Sequence, residues 1–290
     1  MRLRTVTWLS AVTATVAVGM MIFAAGHVLT KPARAELGAP PNWLHGKPVT
    51  YQSESGGRIR GWFASGAPGM GGVLLLHPLR ANRVAMLGRA KFLHGLGYAV
   101  MLIDLQAHGE SDGERITFGW REGKDVVMAA RLLKEYLPGE KIGAIGVSLG
   151  AASLVLSGAH EYLSAVVLES MYPSIEEAVE DRLRLHAGDW ATVLSPLLLW
   201  QLEPRLGVSA SQLRPIDQVS QIRSPILLVH GSEDRHTPIA EAKRVYDKIL
   251  SAKEMYLVEG AAHVDLHGFA GGNYEGKIAK FFRVLHKEAA

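Results

Sequence analysis

Short apolar runs alternate along this chain with segments of helical periodicity, and this alternation restricts the possible fold more than any other feature of the sequence. Helical spacing is seen, for example, in Lys124–Tyr136 and Ile239–Leu250. Six runs are apolar almost without interruption, as expected for strands covered on both faces: Val73–Leu76, Ala99–Leu102, Ile142–Val147, Ala165–Leu168, Ile226–Val229 and Met255–Val258. This order predicts an α/β fold in which right-handed βαβ units form a mostly parallel sheet.

A hairpin precedes this alternation. The segments Pro48–Ser53 and Arg58–Ala64 each alternate apolar with polar residues, as half-buried strands do. Ser55-Gly56-Gly57 separates them and supplies the residues that a tight turn needs. We therefore expect an antiparallel hairpin at the start of the sheet.

One long stretch, from Ser170 to Arg223, interrupts the alternation. A structureless loop of this length would be unusual in a compact domain. Within it, Glu176–Leu185 has helical spacing and Ser195–Leu202 is very apolar. These features predict a short helical cap over the sheet, inserted at about residues 171–222.

Composition and charge exclude several classes of function. The chain has 290 residues, of which 48% are hydrophobic and 20% charged, so wholesale disorder is ruled out. It contains no cysteine, which excludes disulfides, thiolate catalysis and iron–sulfur clusters. Four of its 31 basic residues lie in the first 35 positions, which hold no acidic residue. The remainder is close to neutral, so we expect no nucleic-acid partner.

The N-terminal segment has its own pattern. Arg2 and Arg4 precede an uncharged run, Thr5–Thr30, which is long enough for a transmembrane helix. We predict an uncleaved signal anchor within residues 1–35, a linker at 36–47 and a body at 48–290. The anchor would make the membrane a partner and place the body on its outer side. Two alternatives remain: cleavage near Ala33-Arg34-Ala35, which would release a secreted or periplasmic protein, and a buried core helix.

The sequence Gly146-Val147-Ser148-Leu149-Gly150 is the main indication of chemistry. It fits the pattern G-x-S-x-G and lies between the predicted strand Ile142–Val147 and the predicted helix Ala151–Leu156. A sharp strand-to-helix turn exposes the serine oxygen, and the glycines allow neighbouring backbone to approach closely. Ser148 is thus a candidate nucleophile. The alternative is a serine in a tight glycine turn with no catalytic role.

A serine nucleophile needs a base, which is usually a histidine oriented by a carboxylate. Asp234 follows the predicted strand Ile226–Val229, and His263 follows Met255–Val258. Both positions are just past the carboxyl ends of strands, where sites of α/β sheets form. The order Ser148, Asp234, His263 is the order expected when such a serine lies on this kind of sheet. Glu233 is the alternative carboxylate.

The oxyanion of an acyl-transfer intermediate requires two hydrogen-bond donors. We predict the backbone N–H of Leu149, the residue after the nucleophile, and that of Leu79 in the loop after the strand Val73–Leu76. Pro78 has no N–H, and Arg80 is the fallback. We expect no metal site, because the i, i+4 pair of His263 and His267 is explained better by a catalytic role for the former.

Further segments resemble the α/β-hydrolase family, in particular its Bem46-like branch and related acyl-peptidase-like and esterase-like proteins. The resemblance covers roughly residues 48 to 287. The segment 104–111 resembles the family turn D-x-R-G-H-G-x-S, with Gln106-Ala107 in place of Arg-Gly. Ser224–Gly231 leading to Asp234 is a close match, whereas Pro78 stands where the family usually has glycine.

The resemblance implies a mostly parallel eight-stranded sheet with helices on both faces and a cap after the sixth strand. It also implies a serine hydrolase that cleaves carboxylic esters of small-molecule or lipid-like acyl substrates through an acyl-enzyme, without a cofactor. His108 is expected to brace the oxyanion loop. Thioester or peptide hydrolysis, acyl transfer and a non-catalytic binding module are the alternatives.

The apolar run Leu197–Leu202 bears on the substrate. It has three possible roles: packing on the sheet, lining an acyl pocket or facing a bilayer. If the run lines a pocket, Trp200 is the residue whose truncation should change acyl-chain preference.

Overall fold

The computed structural model of the chain describes residues 2–287, with side chains described at residue 13 and from residue 16 onward. Its centre is a single eight-stranded sheet. The strands are β1 Lys47–Gln52, β2 Arg58–Ala64, β3 Gly72–Leu76, β4 Ala99–Ile103, β5 Ile142–Val147, β6 Ala165–Glu169, β7 Ile226–Gly231 and β8 Lys253–Val258. Their order across the sheet is β8-β7-β6-β5-β3-β4-β2-β1.

The sheet is parallel except at one edge. The β1–β2 pair is the predicted antiparallel hairpin, and β2 also pairs with β4 in antiparallel orientation. All other neighbouring strands are parallel. The predicted α/β architecture with a mostly parallel eight-stranded sheet is therefore confirmed.

Helices cover both faces of this sheet. The α-helices are α1 Arg2–Thr30, α2 Leu87–Gly95, α3 Trp120–Tyr136, α4 Leu149–Leu156, α5 Ile175–Ala187, α6 Ser195–Leu199, α7 Leu202–Leu206, α8 Pro215–Gln218, α9 Ile239–Lys248, α10 Leu266–Ala270 and α11 Gly272–Phe282. Two apolar clusters result, one on each face. Side chains of β3 show why, since Leu74 and Leu76 belong to one cluster and Val73 and Leu75 to the other. Continuous apolar strands thus follow from burial on both faces.

The predicted cap lies between β6 and β7 and contains α5 to α8. It has a small apolar cluster of its own, which includes Ile175, Leu202 and Leu206. The Tyr172 hydroxyl, just before α5, donates to the Phe118 carbonyl (3.0 Å) and joins the start of the cap to the body. The insertion after the sixth strand is therefore confirmed as helical.

The predicted membrane anchor is wrong. In the part of the chain that the structure describes, no helix combines the length and the apolar character that crossing a membrane requires. The C-terminal half of α1 carries Gly26, His27 and Thr30 among its apolar residues, and its Ile22 and Phe23 carbonyls accept hydrogen bonds from Gln201 and Arg205 of the cap. The expected membrane partner and the expected position of the body on the outer side of a membrane both depended on this anchor, and they lose their support with it.

The segment after α1 is paired with the body. Ala33 and Arg34 form a short parallel pair with His108 and Gly109. Further along, the backbone N–H groups of residues 37 and 38 donate to the Glu110 carboxylate (2.9 and 3.0 Å). Part of the predicted extended linker therefore makes defined hydrogen bonds with the turn at residues 104–111.

Two buried carboxyl groups join the cap to the body. Asp181 of α5 and Glu241 of α9 each have a buried oxygen that accepts no hydrogen bond from a donor group of the described residues. Burial, and after it the charge of Asp181, together raise the pKa of Glu241 to about 8. One proton shared between the two carboxyl groups accounts for this arrangement.

This pair predicts a pH-dependent stability. Glu241 binds its proton more tightly in the folded chain than in the unfolded chain, so the folded state holds more protons between about pH 4.3 and the folded pKa. The free energy of unfolding should therefore fall as pH rises through this window and level off above about pH 8. Urea unfolding at a series of pH values should show this fall in wild type and a smaller one in Glu241→Gln. Equal slopes in the two proteins would contradict the prediction.

Candidate active site

Ser148 occupies a strained turn between β5 and α4. Its backbone has φ 50° and ψ −107°, a region that residues with a Cβ rarely adopt. The Ser148 N–H donates to the Glu169 carbonyl (2.8 Å) at the end of β6, and α4 begins at the next residue. This is the sharp strand-to-helix turn that the G-x-S-x-G pattern predicts.

The flanking glycines are required by contacts with backbone atoms. A Cβ at Gly146 would lie 2.6 Å from the Ala151 nitrogen, and one at Gly150 would lie 2.5 Å from the Leu76 carbonyl oxygen. Neither neighbour is the end of a flexible side chain, so neither can move away cheaply. The two glycines therefore let β5, α4 and the end of β3 approach closely enough to form the turn.

Gly150→Ala should destabilise the protein by about 1–3 kcal/mol or more, because the new methyl group would overlap backbone atoms. The matched control is Gly276→Ala in α11, where a Cβ would have no atom within 4 Å. That change should be neutral or stabilise by up to about 1 kcal/mol, because alanine favours a helix. Urea unfolding of both variants gives the comparison. Equal stability of the two would contradict the steric explanation of the turn.

Asp234 and His263 form a hydrogen-bonded pair beyond β7 and β8. The His263 Nδ1–H donates to Asp234 Oδ2 (2.7 Å), while the backbone N–H groups of His236 and Thr237 donate to Asp234 Oδ1 (2.9 and 3.0 Å). Burial raises the pKa of Asp234, but the hydrogen bond and charge of His263, together with the Thr237 N–H and His230, lower it, so the net pKa lies below the usual value. The carboxylate is therefore ionised and holds Nδ1 protonated, which leaves Nε2 as the basic nitrogen.

Two successive contacts link the ring of His263 to the cavity that Ser148 lines. It stacks on the His236 ring at 5.2 Å between centroids, and the His236 carbonyl accepts a hydrogen bond from Arg182 of the cap (2.8 Å). Arg182 and Ser148 line the same cavity. Within residues 2–287, however, the Ser148 hydroxyl makes no hydrogen bond with the His263 ring. Contacts between nucleophile and base are often long in unliganded enzymes and shorten when substrate binds.

Two predicted oxyanion donors line the cavity beside Ser148. Leu79 and Leu149 both contact it, and neither N–H donates to an acceptor among the described residues. The N–H of Arg80, the fallback, is already bonded to His108 Nε2 (3.1 Å). Of the two residues considered in the loop after β3, only Leu79 therefore keeps a free donor.

Two buried histidines brace this loop. His108 accepts from Arg80 at Nε2 and contacts the Gln106 carbonyl at Nδ1 (2.9 Å), while His77 Nε2 accepts from the Leu105 N–H (3.1 Å). Burial lowers the pKa of His77 to about 3 and also lowers that of His108. Both rings are neutral at physiological pH, so each can accept a backbone hydrogen bond and hold the loop beside the serine.

The cavity itself is mainly apolar. Its volume is about 470 Å³, within the usual range for small-molecule sites. Leu198, Leu199 and Leu202 of the predicted apolar run line it. Trp200 is not among the lining residues and is 73% exposed, so the expected role of this residue in acyl-chain preference lacks a structural basis.

The remaining candidates have other contacts. His267 Nε2–H donates to Glu275 Oε1 (2.9 Å), whereas His263 donates to Asp234, so the two histidines with i, i+4 spacing contact different carboxylates. Glu233, the alternative orienting carboxylate, makes no side-chain hydrogen bond with His263 in the described residues. No three metal-ligating side chains cluster anywhere in the described chain.

One buried network was missed by sequence reasoning. Arg89 of α2 makes a paired contact with both carboxylate oxygens of Glu169 (2.9 and 2.6 Å) and also bonds Asp265 (2.7 Å). The Tyr274 hydroxyl donates to the same Glu169 carboxylate. The backbone carbonyl of Glu169 accepts the Ser148 N–H, so this network supports the turn at Ser148. A charged residue at the end of an apolar strand is the only signal that the sequence offers.

Comparison with known proteins agrees with this architecture. The esterase Pf2001 of Pyrococcus furiosus superposes with a TM-score of 0.72 at 21% identity, covering 89% of this chain and 99% of that one. An esterase of Thermogutta terrifontis superposes with a TM-score of 0.60 at 17% identity, covering 83% and 100%. The chain has the α/β-hydrolase fold.

The relatives found by sequence are too distant to assign the chain to a family. No family model matches the chain. The uncharacterized protein YqkD of Bacillus subtilis is 26% identical over 202 residues, which is 66% of this chain and a little under two thirds (64%) of that protein. The Arabidopsis thaliana α/β-hydrolase domain-containing protein WAV2 is 25% identical over 236 residues, covering 75% of this chain and 68% of that protein.

Proposed function

We propose that this protein is a serine hydrolase that cleaves carboxylic esters or related acyl compounds. The observation that carries the proposal is the strained turn that presents Ser148 to an apolar cavity. The hydrogen-bonded Asp234–His263 pair beyond neighbouring strands supplies the base that a neutral serine needs. The esterases that share this fold support the reaction class, and the sequence motifs are our basis for the Bem46-like and esterase-like branch.

In the proposed mechanism, His263 Nε2 takes the proton of Ser148 as the serine oxygen attacks the ester carbonyl. The carbonyl oxygen becomes an oxyanion and accepts hydrogen bonds from the Leu79 and Leu149 N–H groups. Collapse of this intermediate breaks the bond to the alcohol oxygen, which leaves with the proton from His263. The acyl group remains on Ser148.

Water then completes the cycle. His263 removes a proton from a water molecule, whose oxygen attacks the acyl-enzyme, and the second tetrahedral intermediate releases the carboxylic acid as the proton returns to Ser148. Asp234 stays ionised throughout and stabilises the imidazolium that forms twice in each cycle. No cofactor enters this scheme.

The test combines two measurements on the full chain. Hydrolysis of p-nitrophenyl esters from acetyl to palmitoyl should be measurable, and a fluorophosphonate probe should label the folded protein but not a heat-unfolded sample. Labelling reports an activated serine independently of substrate choice. Failure of both measurements on folded protein would contradict the proposal and favour a binding module that retains the fold without turnover.

A further inference from the structure

The last turns of α1 form one side of the cavity that contains Ser148. Ala25, Gly26, Leu29 and Thr30 all line it. Their spacing puts them on one face of the helix, where residues four apart lie one above the other. The N-terminal segment therefore contributes to the same cavity as the candidate nucleophile.

The cap holds this part of the helix in place. Gln201 donates to the Ile22 carbonyl (3.1 Å) and Arg205 to the Phe23 carbonyl (2.8 Å). The Arg205 guanidinium also lies over the Phe23 ring, 4.0 Å from its centroid. The end of the Gln201 side chain packs directly against Gly26, where a Cβ would lie 2.5 Å from its oxygen.

The loop after β3 holds the C-terminal end of the same helix. Arg80 donates to the carbonyls of Val28 (3.2 Å) and Lys31 (3.3 Å), and the Ile116 N–H donates to the Thr30 carbonyl (2.9 Å). These donors satisfy carbonyl groups that a helix end leaves without partners. The helix is thus attached both to the cap and to the loop that carries the proposed oxyanion donor.

We propose that residues 25–30 of α1 are a wall of the acyl-binding pocket and determine which acyl chains the enzyme accepts. The inference rests on the esterase function proposed above and names its substrate class. The wall presents the small Ala25 and the apolar Leu29, and the cap adds leucines, so the cavity fits an extended hydrocarbon chain better than an acetyl group. Substrates are therefore esters of medium or long acyl chains.

The test compares two substitutions one position apart. Ala25→Phe places a bulky side chain at a position that lines the cavity, while Ala24→Phe makes the same change at the preceding residue, which is exposed like Ala25 but does not line the cavity. Each full-length variant is assayed for kcat/KM on p-nitrophenyl acetate and p-nitrophenyl decanoate. We expect Ala25→Phe to lower the decanoate-to-acetate ratio roughly tenfold or more, and Ala24→Phe to keep the wild-type ratio.

Leu29→Ala is a second test variant, and it adds no bulk to the pocket. Removing this side chain should shift the preference toward longer chains, so the palmitate-to-decanoate ratio should rise. If Ala25→Phe and Leu29→Ala both retain the wild-type ratios while the wild-type protein hydrolyses the esters, the proposal that α1 forms a wall of the acyl pocket is overturned. The proposed esterase function then still stands. If the wild-type protein hydrolyses no ester and binds no fluorophosphonate, the proposed function fails and this inference fails with it.

Discussion

Ser148→Ala is expected to lower kcat for p-nitrophenyl ester hydrolysis by roughly a million-fold, to the level that binding and oxyanion stabilisation alone provide. Without the hydroxyl no acyl-enzyme forms, and the basic nitrogen of His263 has no proton to remove from a nucleophile. Fluorophosphonate labelling should disappear in the same variant. The backbone strain at φ 50° is the same for serine and alanine, so thermal unfolding should change little.

Ser157→Ala is the matched control for this change. Ser157 follows α4 at the end opposite Ser148, and its hydroxyl donates only to the Leu154 carbonyl (2.7 Å) while accepting from the Ala159 N–H (2.9 Å). It should retain wild-type kcat and labelling. A Ser148→Ala protein that is folded and still hydrolyses esters at more than a few per cent of the wild-type rate would mean that another residue is the nucleophile.

The sheet and the tight turn at Ser148 were predictable because local physics determines both. A strand covered on both faces must be apolar along its length, so β5 and β7 are visible as continuous runs without any knowledge of their neighbours. The turn at Ser148 strongly favours glycine at positions 146 and 150, because a Cβ at either would overlap backbone atoms. The same spacing therefore specifies the conformation and reveals it in the sequence.

The position of the N-terminal segment was not predictable in this way. Thr5–Thr30 is apolar with little periodicity, so the pattern cannot say which face is buried or against what. The groups that hold it, Gln201 and Arg205, are 179 and 182 residues further along the chain from their carbonyl partners. Only the folded structure shows that this run contacts the cap and the cavity.

The cap shows a related limit of prediction from the sequence. The run Ser195–Leu202 was visible as apolar, but side-chain direction depends on where each short helix begins and ends. The helix α6 ends at Leu199, so Leu198 and Leu199 line the cavity while Trp200 is exposed. Trp200, whose truncation was expected to change acyl-chain preference, therefore does not line the cavity.

Asp234→Asn is expected to lower kcat by about 10⁴-fold while leaving the fold intact. The Asp234 Oδ1 accepts from the His236 and Thr237 N–H groups, and the asparagine oxygen can keep those bonds. The amide nitrogen would then face His263 Nδ1, which must become an acceptor. The ring proton moves to Nε2, and the nitrogen that should remove the serine proton is already protonated.

Glu233→Gln is the control that separates the two neighbouring carboxylates. Each substitution removes one negative charge from the same loop, but only Asp234 bonds the His263 ring (2.7 Å). Steady-state kinetics on one ester should therefore show a near wild-type kcat for Glu233→Gln and a large loss for Asp234→Asn, with KM little changed in either variant. A large loss in Glu233→Gln together with an active Asp234→Asn would transfer the orienting role to Glu233. Comparable mild effects in both would mean that His263 is not the general base, because an imidazole that removes the serine proton depends on the tautomer that its carboxylate partner holds.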